Sequence, residues 1–295
     1  MNAIATVPPY APFVKEVARH PVVSGIRLNT VMPVKEPLED VLKRLQDFAG
    51  EKTVWIDLKG RQLRTTSYAT PPFTEVTISH AIDVKTPVMA YFGNGREAAT
   101  LAGVNGNKLF FLDGPRRVVG PGESINIPDA GLVIHGGLTD GDKAYIEAAR
   151  QVGNHHYMLS FVESKQDIDD LKKLDDNAIV VAKIESRKGL EYVREKFDNT
   201  SRLMAARGDL YIEIKRPHHI LEAVETIVAK DPDAIAASRI LSSLAISPEP
   251  LCEDISDVAY LTKTGYKTLM LGDEVCLRRE SVIGALNLLE AIAER

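Results

Sequence analysis

Cysteine is nearly absent from this sequence: Cys252 and Cys276 are the only two among 295 residues, and no CxxC spacing occurs. That excludes a disulfide-stapled scaffold and fits a reducing compartment, so a cytoplasmic location is expected. No apolar run approaches the roughly 20 residues that span a bilayer, so no membrane partner is expected. Met1-Asn2-Ala3-Ile4 lacks the basic start of a signal peptide. Positive charge is not in excess: 36 Lys and Arg stand against 41 Asp and Glu, a net charge of -5. No nucleic-acid partner is therefore expected. With 20 Gly, 16 Pro and no charge runs, long disorder is excluded as well. What is present, 44% hydrophobic and 26% charged residues, is enough for one large core or a large domain carrying a small one.

The first third alternates strand-like and helix-like patterns. Ile4–Val7, Val22–Leu28 and Thr53–Leu58 read as strands. Between the last two, Leu38, Val41, Leu42 and Leu45 form an i, i+3, i+4, i+7 stripe that starts after Pro37 and closes near Gly50. From about Ser67 to Ile127 the spacing predicts no helix. Short apolar runs there are separated by turns such as Gly93-Asn94-Gly95, the signature of hairpins. After Pro128 the alternation returns. Thr139-Asp140-Gly141-Asp142 reads as a capping box opening a helix. Strands are then expected at Tyr157–Val162, Ala178–Ile184, Leu203–Ala206, Ala234–Ala237 and Lys267–Leu271, each followed by a helix; the helix after the fourth of these is expected over Ser256–Thr264. Three strands before the insert and five after it give the arithmetic of an α/β protein, a TIM (β/α)8 barrel with a small all-β insert after strand 3. The expected domains are residues 1–66 with 128–295 for the barrel and 67–127 for the insert.

In such a barrel chemistry sits at the C-terminal ends of the strands. Those ends carry Arg27 and Asn29, Asp57, Lys59 and Arg64, Ser160, Lys183 and Glu185, Arg207 and Asp209, Ser238 and Arg239, and Asp273 and Glu274. Lys183 and Glu185 are two apart, so an extended chain turns both to one side. Glu185 and Asp209, from adjacent strands, are candidates to share Mg2+ or Mn2+, because such ions take carboxylates together with substrate oxygens and water. Lys183 beside them would steady negative charge on a phosphoryl or enolate oxygen. The plain alternative is a rim of ion pairs on a scaffold. His155-His156 and His218-His219 read as surface or helix-end residues rather than metal ligands, and Trp55 as core.

These residues resemble the pyruvate kinase family. Ala182-Lys183-Ile184-Glu185 looks like its Lys-Ile-Glu strand, and Met204-Ala205-Ala206-Arg207-Gly208-Asp209-Leu210 like its Met-Val-Ala-Arg-Gly-Asp-Leu signature. Ile56-Asp57-Leu58-Lys59-Gly60 resembles Leu-Asp-Thr-Lys-Gly, and Ile26-Arg27-Leu28-Asn29 resembles Ala-Arg-Met-Asn. Ser256-Asp257-Val258-Ala259, Met270-Leu271-Gly272-Asp273-Glu274 and Ile125-Asn126-Ile127-Pro128 follow in the same order. The resemblance implies Glu185 and Asp209 as divalent-metal ligands and Lys183, Arg27 and Ser238 as catalytic residues. It implies the backbone of Arg207, Gly208 and Asp209, with Ser160, as a substrate site. Arg64, with Asn29, would meet nucleotide phosphates (ADP or ATP), and Asn29 with Asp57 would be half of a K+ site. A homodimer pairing through helices with stripes such as Ile220, Leu221, Val224 and Ile227 is also implied; such a stripe is equally that of core.

The departures carry as much information. Val31-Met32 and Leu58 stand where the family has Ser-His and Thr, Tyr211 where it has Gly, and Arg239 where it has Gln. The insert is short, Lys85 and Lys108 are candidates for a lysine closing on a nucleotide, and the family's C-terminal regulatory domain is expected to be missing. Three readings stay open: phosphoryl transfer on phosphoenolpyruvate, a nucleotide-independent lyase or decarboxylase acting on a pyruvate- or oxaloacetate-type 2-oxo acid, and a non-catalytic metabolite-binding descendant.

Overall fold

The computed structural model describes residues 1–294. Three strands open the chain, β1 (Asn2–Ala5), β2 (Val23–Asn29) and β3 (Thr53–Leu58). The insert follows with β4 (Glu75–Thr77), β5 (Ile82–Asp83), β6 (Val88–Phe92), β7 (Glu97–Asn105), β8 (Lys108–Phe111) and β9 (Ile125–Asn126), and β10 (Val133–Ile134) leads out of it. The remaining strands are β11 (His156–Leu159), β12 (Ile179–Ile184), β13 (Arg202–Ala206), β14 (Ile235–Ala237) and β15 (Thr268–Leu271). β1, β2, β3 and β11 to β15 pair in parallel and close into a barrel in chain order, with β15 returning to β1. β3 and β11 are direct neighbours. The insert therefore leaves and rejoins the barrel at one seam, without breaking the ring.

Period-two alternation divides each barrel strand into two faces. In β12, Val180, Ala182 and Ile184 join the core between strands and helices, while Val181 joins Ile4, Trp55, Met158, Met204, Ile235 and Met270 inside the barrel. Trp55 is thus core, as its position in the sequence suggests. Its indole needs the space left by Gly25 of β2: a Cβ there would lie 3.0 Å from Trp55 Nε1. The helices cover the outer face. Helix Leu38–Ala49 buries Val41, Leu42 and Leu45 and ends at Gly50 with φ 61°, as the stripe predicts. Val224 and Ile227 are buried in this chain's own core, whereas Leu221 is exposed. The helix expected from Ser256 starts earlier, at Cys252. Its first turn, with Cys252 and Glu253 exposed, carries no apolar periodicity, and Glu253 and Asp254 there favour the positive end of the helix dipole. None of the helices among the described residues is long and apolar enough to cross a membrane.

The insert is a five-stranded antiparallel sheet, ordered β4-β8-β7-β6-β9, around Val76, Ile78, Phe92, Leu101, Leu109 and Phe111. It has no helix, in line with its turn signals. At the opposite end of the barrel from the strand C-termini, His155 Nδ1 and Tyr157 Oη each lie 2.7 Å from the Asp175 carboxylate. That pairing gives His155 a structural place.

The capping box forms as expected, with Asp142 N donating to Thr139 Oγ1 at 3.0 Å and Thr139 N donating to Asp142 Oδ2 at 2.9 Å. The same carboxylate also accepts from Lys59 N at 2.7 Å and Gly60 N at 3.1 Å, which pins the turn after β3. Gly60 has φ 50°, and a Cβ there would fall 2.7 Å from Ser160 O. Gly60→Ala should therefore destabilise the fold by about 2 kcal/mol or more, since both the left-handed backbone and the contact penalise a side chain. Denaturant unfolding checks this. An unchanged midpoint would mean that the turn does not set the geometry of Lys59.

Candidate functional site

The faces of the strands decide where the charges go. In β12, Lys183 and Glu185 continue the phase of Val181, so they emerge at the inner rim of the barrel. Asp57 continues the phase of Trp55, and Arg27 that of Gly25. All four are buried, Asp57 to 1% and Glu185 to 2% exposure. They meet in one cavity of about 540 Å³, which Asn29, Arg64, Gly208, Asp209 and Ser238 also line. Two more of the residues singled out in the sequence lie behind it. Ser160 Oγ accepts from Lys183 Nζ at 2.7 Å and so holds the ammonium from below. The Arg207 guanidinium turns away, with both its Nη atoms 2.7 Å from the Asp257 carboxylate and Nη2 donating to Ser238 O at 2.9 Å. Its side chain braces the loop after β14, and only its backbone adjoins Gly208. A Cβ on Gly208 would stand 3.2 Å from Ser238 Oγ, so a side chain there would press on the Ser238 hydroxyl.

Asp57 is the hub. Its Oδ2 accepts from Arg27 Nη2 at 2.6 Å and Lys59 Nζ at 2.9 Å, and its Oδ1 from Lys183 Nζ at 3.0 Å. Burial alone would raise its pKa, but Arg27, Lys183 and Lys59 outweigh that and hold the carboxyl well below the usual carboxylate range. Burial likewise opposes the charge on Lys183, yet Asp57 and Glu185 keep its pKa above the ordinary lysine value. The ammonium therefore stays charged.

Glu185 is the reverse case. Burial pushes the Glu185 carboxyl up to about 7; Lys183 opposes the rise, and Asp209 adds to it. Among the described residues Glu185 receives only Phe161 N at 2.8 Å and the Lys183 ammonium at 3.3 Å. Asp209 receives two neutral amides, Gln62 Nε2 at 3.2 Å and Asn126 Nδ2 at 3.1 Å. Nearby Glu213 is also raised to about 7, by burial above all. Asn126 Oδ1 is buried without a hydrogen-bond partner. Hard anionic oxygens short of positive charge suit a divalent cation such as Mg2+ or Mn2+. Among the described residues no group of three or more His, Cys, Asp or Glu is arranged to hold a metal. The fit is therefore that of an ion held by one or two carboxylates plus substrate oxygens and water.

The pair expected to hold K+ is occupied differently. Asn29 and Asp57 do converge, but Lys59 Nζ sits between them, 2.9 Å from Asn29 Oδ1 and 2.9 Å from Asp57 Oδ2. Asn29 Nδ2 is spent on Asp273 Oδ1 at 2.9 Å. Arg64 Nε bonds Gln62 Oε1 at 2.9 Å, and its Nη1 bonds Gly122 O, so this guanidinium ties the insert to the barrel.

Two departures noted singly in the sequence turn out to touch. Arg239 Cζ lies 4.5 Å above the centre of the Tyr211 ring, at the mouth of the cavity. Ser238, Arg239 and Leu241 all adopt left-handed backbone, which aims this loop across the top of the barrel. From the insert, neither Lys85 nor Lys108 lines the cavity; Lys108 pairs with Glu75. The insert residues that do line it are Asn94 and Arg96, at the tip of the β6–β7 hairpin. Arg96 Nη2 reaches Glu274 Oε1 at 2.8 Å, and a Cβ on Gly95 would touch Ile212. The sequence showed the hairpin turn, but nothing in it marked the docking. Asn126 and Gln62, the two donors to Asp209, were also missed. Asn126 lies within a stretch that resembles the family and Gln62 two residues beyond one, and neither residue type announces a site.

Residues 83–278 match the family model described as pyruvate kinase, barrel domain. The pyruvate kinase of Borreliella burgdorferi is 24% identical over 92% of this chain and 63% of its own length. That of Thermoplasma acidophilum is 24% identical over 95% of this chain and 55% of its own. Pyruvate kinase 1 of Candida glabrata is 30% identical over 52% of this chain and 30% of its own. The chain thus spans about six-tenths of the length of the first two relatives.

Proposed function

The chain belongs to the pyruvate kinase family, and from that membership we propose that it performs divalent-metal-dependent enolate chemistry on a phosphoenolpyruvate- or pyruvate-type substrate. The observation that carries this reading is the junction of Lys183, Glu185, Asp209 and Arg27 in one cavity. Glu185 and Asp209 would hold Mg2+ or Mn2+, and when bound such an ion supplies positive charge where an enolate or phosphoryl oxygen develops its own. Lys183, fixed by Asp57 and Ser160, holds negative charge on the reacting oxygens without having to reorganise. Arg27, locked on Asp57, presents its guanidinium to a substrate phosphate or carboxylate. The open backbone at Gly208 receives the carboxylate end, and the Ser238 hydroxyl stands over it to steer a proton, through water, to the enolate carbon.

Phosphoryl transfer between phosphoenolpyruvate and a nucleotide is the first reading, with Arg64 near the nucleotide phosphates. A second, a lyase or decarboxylase of a 2-oxo acid that needs no nucleotide, is favoured by the hairpin tip. Asn94 and Arg96 stand in the mouth of the cavity with Arg96 bridged to Glu274. Pyruvate release with Mg2+, from phosphoenolpyruvate with and without ADP and from oxaloacetate alone, separates the two. Turnover that requires ADP supports transfer, and release from oxaloacetate alone supports the lyase. Silence in all three arms would contradict the proposal for these substrates.

A further inference from the structure

Arg239 lines the cavity at its mouth, and among the described residues its guanidinium meets an aromatic ring and no carboxylate. We propose that Arg239 is a specificity-determining residue that receives a second carboxylate of the substrate, carried on an arm from the enolate carbon. The site would then take dicarboxylic 2-oxo acids in preference to pyruvate, a preference that rests on the enolate chemistry proposed for this cavity.

The loop holds Arg239 firmly and leaves its side chain free. Ser238 and Arg239 have φ of 69° and 59°, a left-handed backbone that is costly for a residue with a Cβ. It is clamped on both sides. Arg207 Nη2 donates to Ser238 O at 2.9 Å, and Ile240 and Leu241 are fully buried. The Arg239 side chain between these anchors is exposed. Its Cζ lies 4.5 Å above the centre of the Tyr211 ring. Stacking uses the face of the guanidinium and fixes its plane, so the N–H donors around the edge stay open to an anion. A carboxylate matches that edge with two parallel hydrogen bonds. Tyr211 belongs to the short helix Arg207–Glu213, which also carries Asp209.

The other cations of the cavity are already engaged. Arg27 meets Asp57 and Asp273, Arg96 meets Glu274, and Lys183 meets Asp57 and Glu185. Arg64 is spent on Gln62 and Gly122. Position favours a carboxylate of the substrate over a nucleotide phosphate. Arg239 follows directly on Ser238, the residue placed over the enolate carbon, so an arm on that carbon runs towards it. Arg64, the residue assigned to nucleotide phosphates, follows β3. In the ring of strands β14 and β3 stand opposite each other.

The test is calorimetric displacement of oxalate in Mg2+ by matched pairs that differ only at the far end. The pairs are 2-oxobutanoate with freshly dissolved oxaloacetate, and 2-oxopentanoate with 2-oxoglutarate. ADP binding is measured alongside, for the wild type, Arg239→Gln and Arg239→Lys. In the wild type at least one diacid should bind about tenfold or more tightly than its methyl-ended partner, the gain usual for a charge-assisted contact. Arg239→Gln should erase that difference and Arg239→Lys should keep part of it. Both should bind oxalate as the wild type does, because oxalate has no arm to reach position 239. Equal affinities within both pairs in the wild type would overturn the proposal, as would a preference that survives in Arg239→Gln. A Gln variant that loses affinity for ADP instead would assign the residue to a nucleotide and overturn it too. In each of these cases oxalate still binds and the enolate reading stands. Oxalate binding to none of the three proteins would overturn that reading and this inference with it.

Discussion

Lys183→Met should lower pyruvate-forming turnover about a thousandfold or more while the protein stays folded. Preorganised charge aimed at a developing oxyanion is commonly the largest single contribution to catalysis, worth roughly a hundred- to a thousandfold for one neutral donor. A full positive charge in a buried site should exceed that. Methionine keeps the length and stem of the side chain and removes only the ammonium. The loss should fall on kcat rather than on KM, because the charge on the substrate oxygens grows in the transition state. The fold should tolerate the change. Asp57 keeps Arg27 at 2.6 Å and Lys59 at 2.9 Å, and Glu185 keeps the Phe161 amide at 2.8 Å. A buried pair has nonetheless been opened, so a stability loss of about 1–3 kcal/mol is expected. Steady-state kinetics and thermal unfolding on the same preparation check both halves. Turnover within tenfold of wild type would remove Lys183 from the chemistry.

Asp209→Asn should abolish the response to Mg2+. In the wild type a saturating divalent ion should add stability by mass action, about 2.7 kcal/mol at a hundredfold excess over Kd. For a chain of this size that would raise the unfolding midpoint by about 4 °C. Chelation should reverse the rise and stop turnover. In the Asn variant one anionic oxygen of the pair with Glu185 is gone, and Mg2+ affinity should fall at least about a hundredfold, beyond the loss usual for residues that merely support a ligand. Calorimetry and unfolding with added Mg2+ measure this. An Asn variant with the full wild-type shift would place the ion on other carboxylates.

How much of this was legible in the sequence depended on range. The spacing of Lys183 and Glu185 told that they share a face, and the same period in β12 fixed that face once Val181 packed inside the barrel. The capping box at Thr139 and the stripe of helix Leu38–Ala49 were local and came out as read. The helix Asp273–Cys276 and the 3-10 turn Ser242–Ala245 were not foreseen, because four residues are too few to show a period. Contacts between distant segments were invisible. Asn126 meets Asp209 across 83 residues and Arg96 meets Glu274 across 178. Tyr211 and Arg239 each stood out as departures, but only the packed loop after β14 shows that they face each other. Lys59 was in plain view as one residue of a motif. Its placement depended on β2 and β3 lying side by side, which brings Asn29 level with Asp57.

The central claim is that Lys183, Glu185 and Asp209 form a metal-dependent site for a pyruvate enolate. Its most direct test is calorimetric binding of oxalate, a planar dianion that matches the carboxylate and enolate oxygens, with and without Mg2+, to the wild type and Lys183→Met. The account predicts one site per chain that needs Mg2+ and is weakened at least about tenfold in the variant, the cost of one lost charged contact. Oxalate binding that is indifferent to Mg2+, or absent under all conditions, would contradict it.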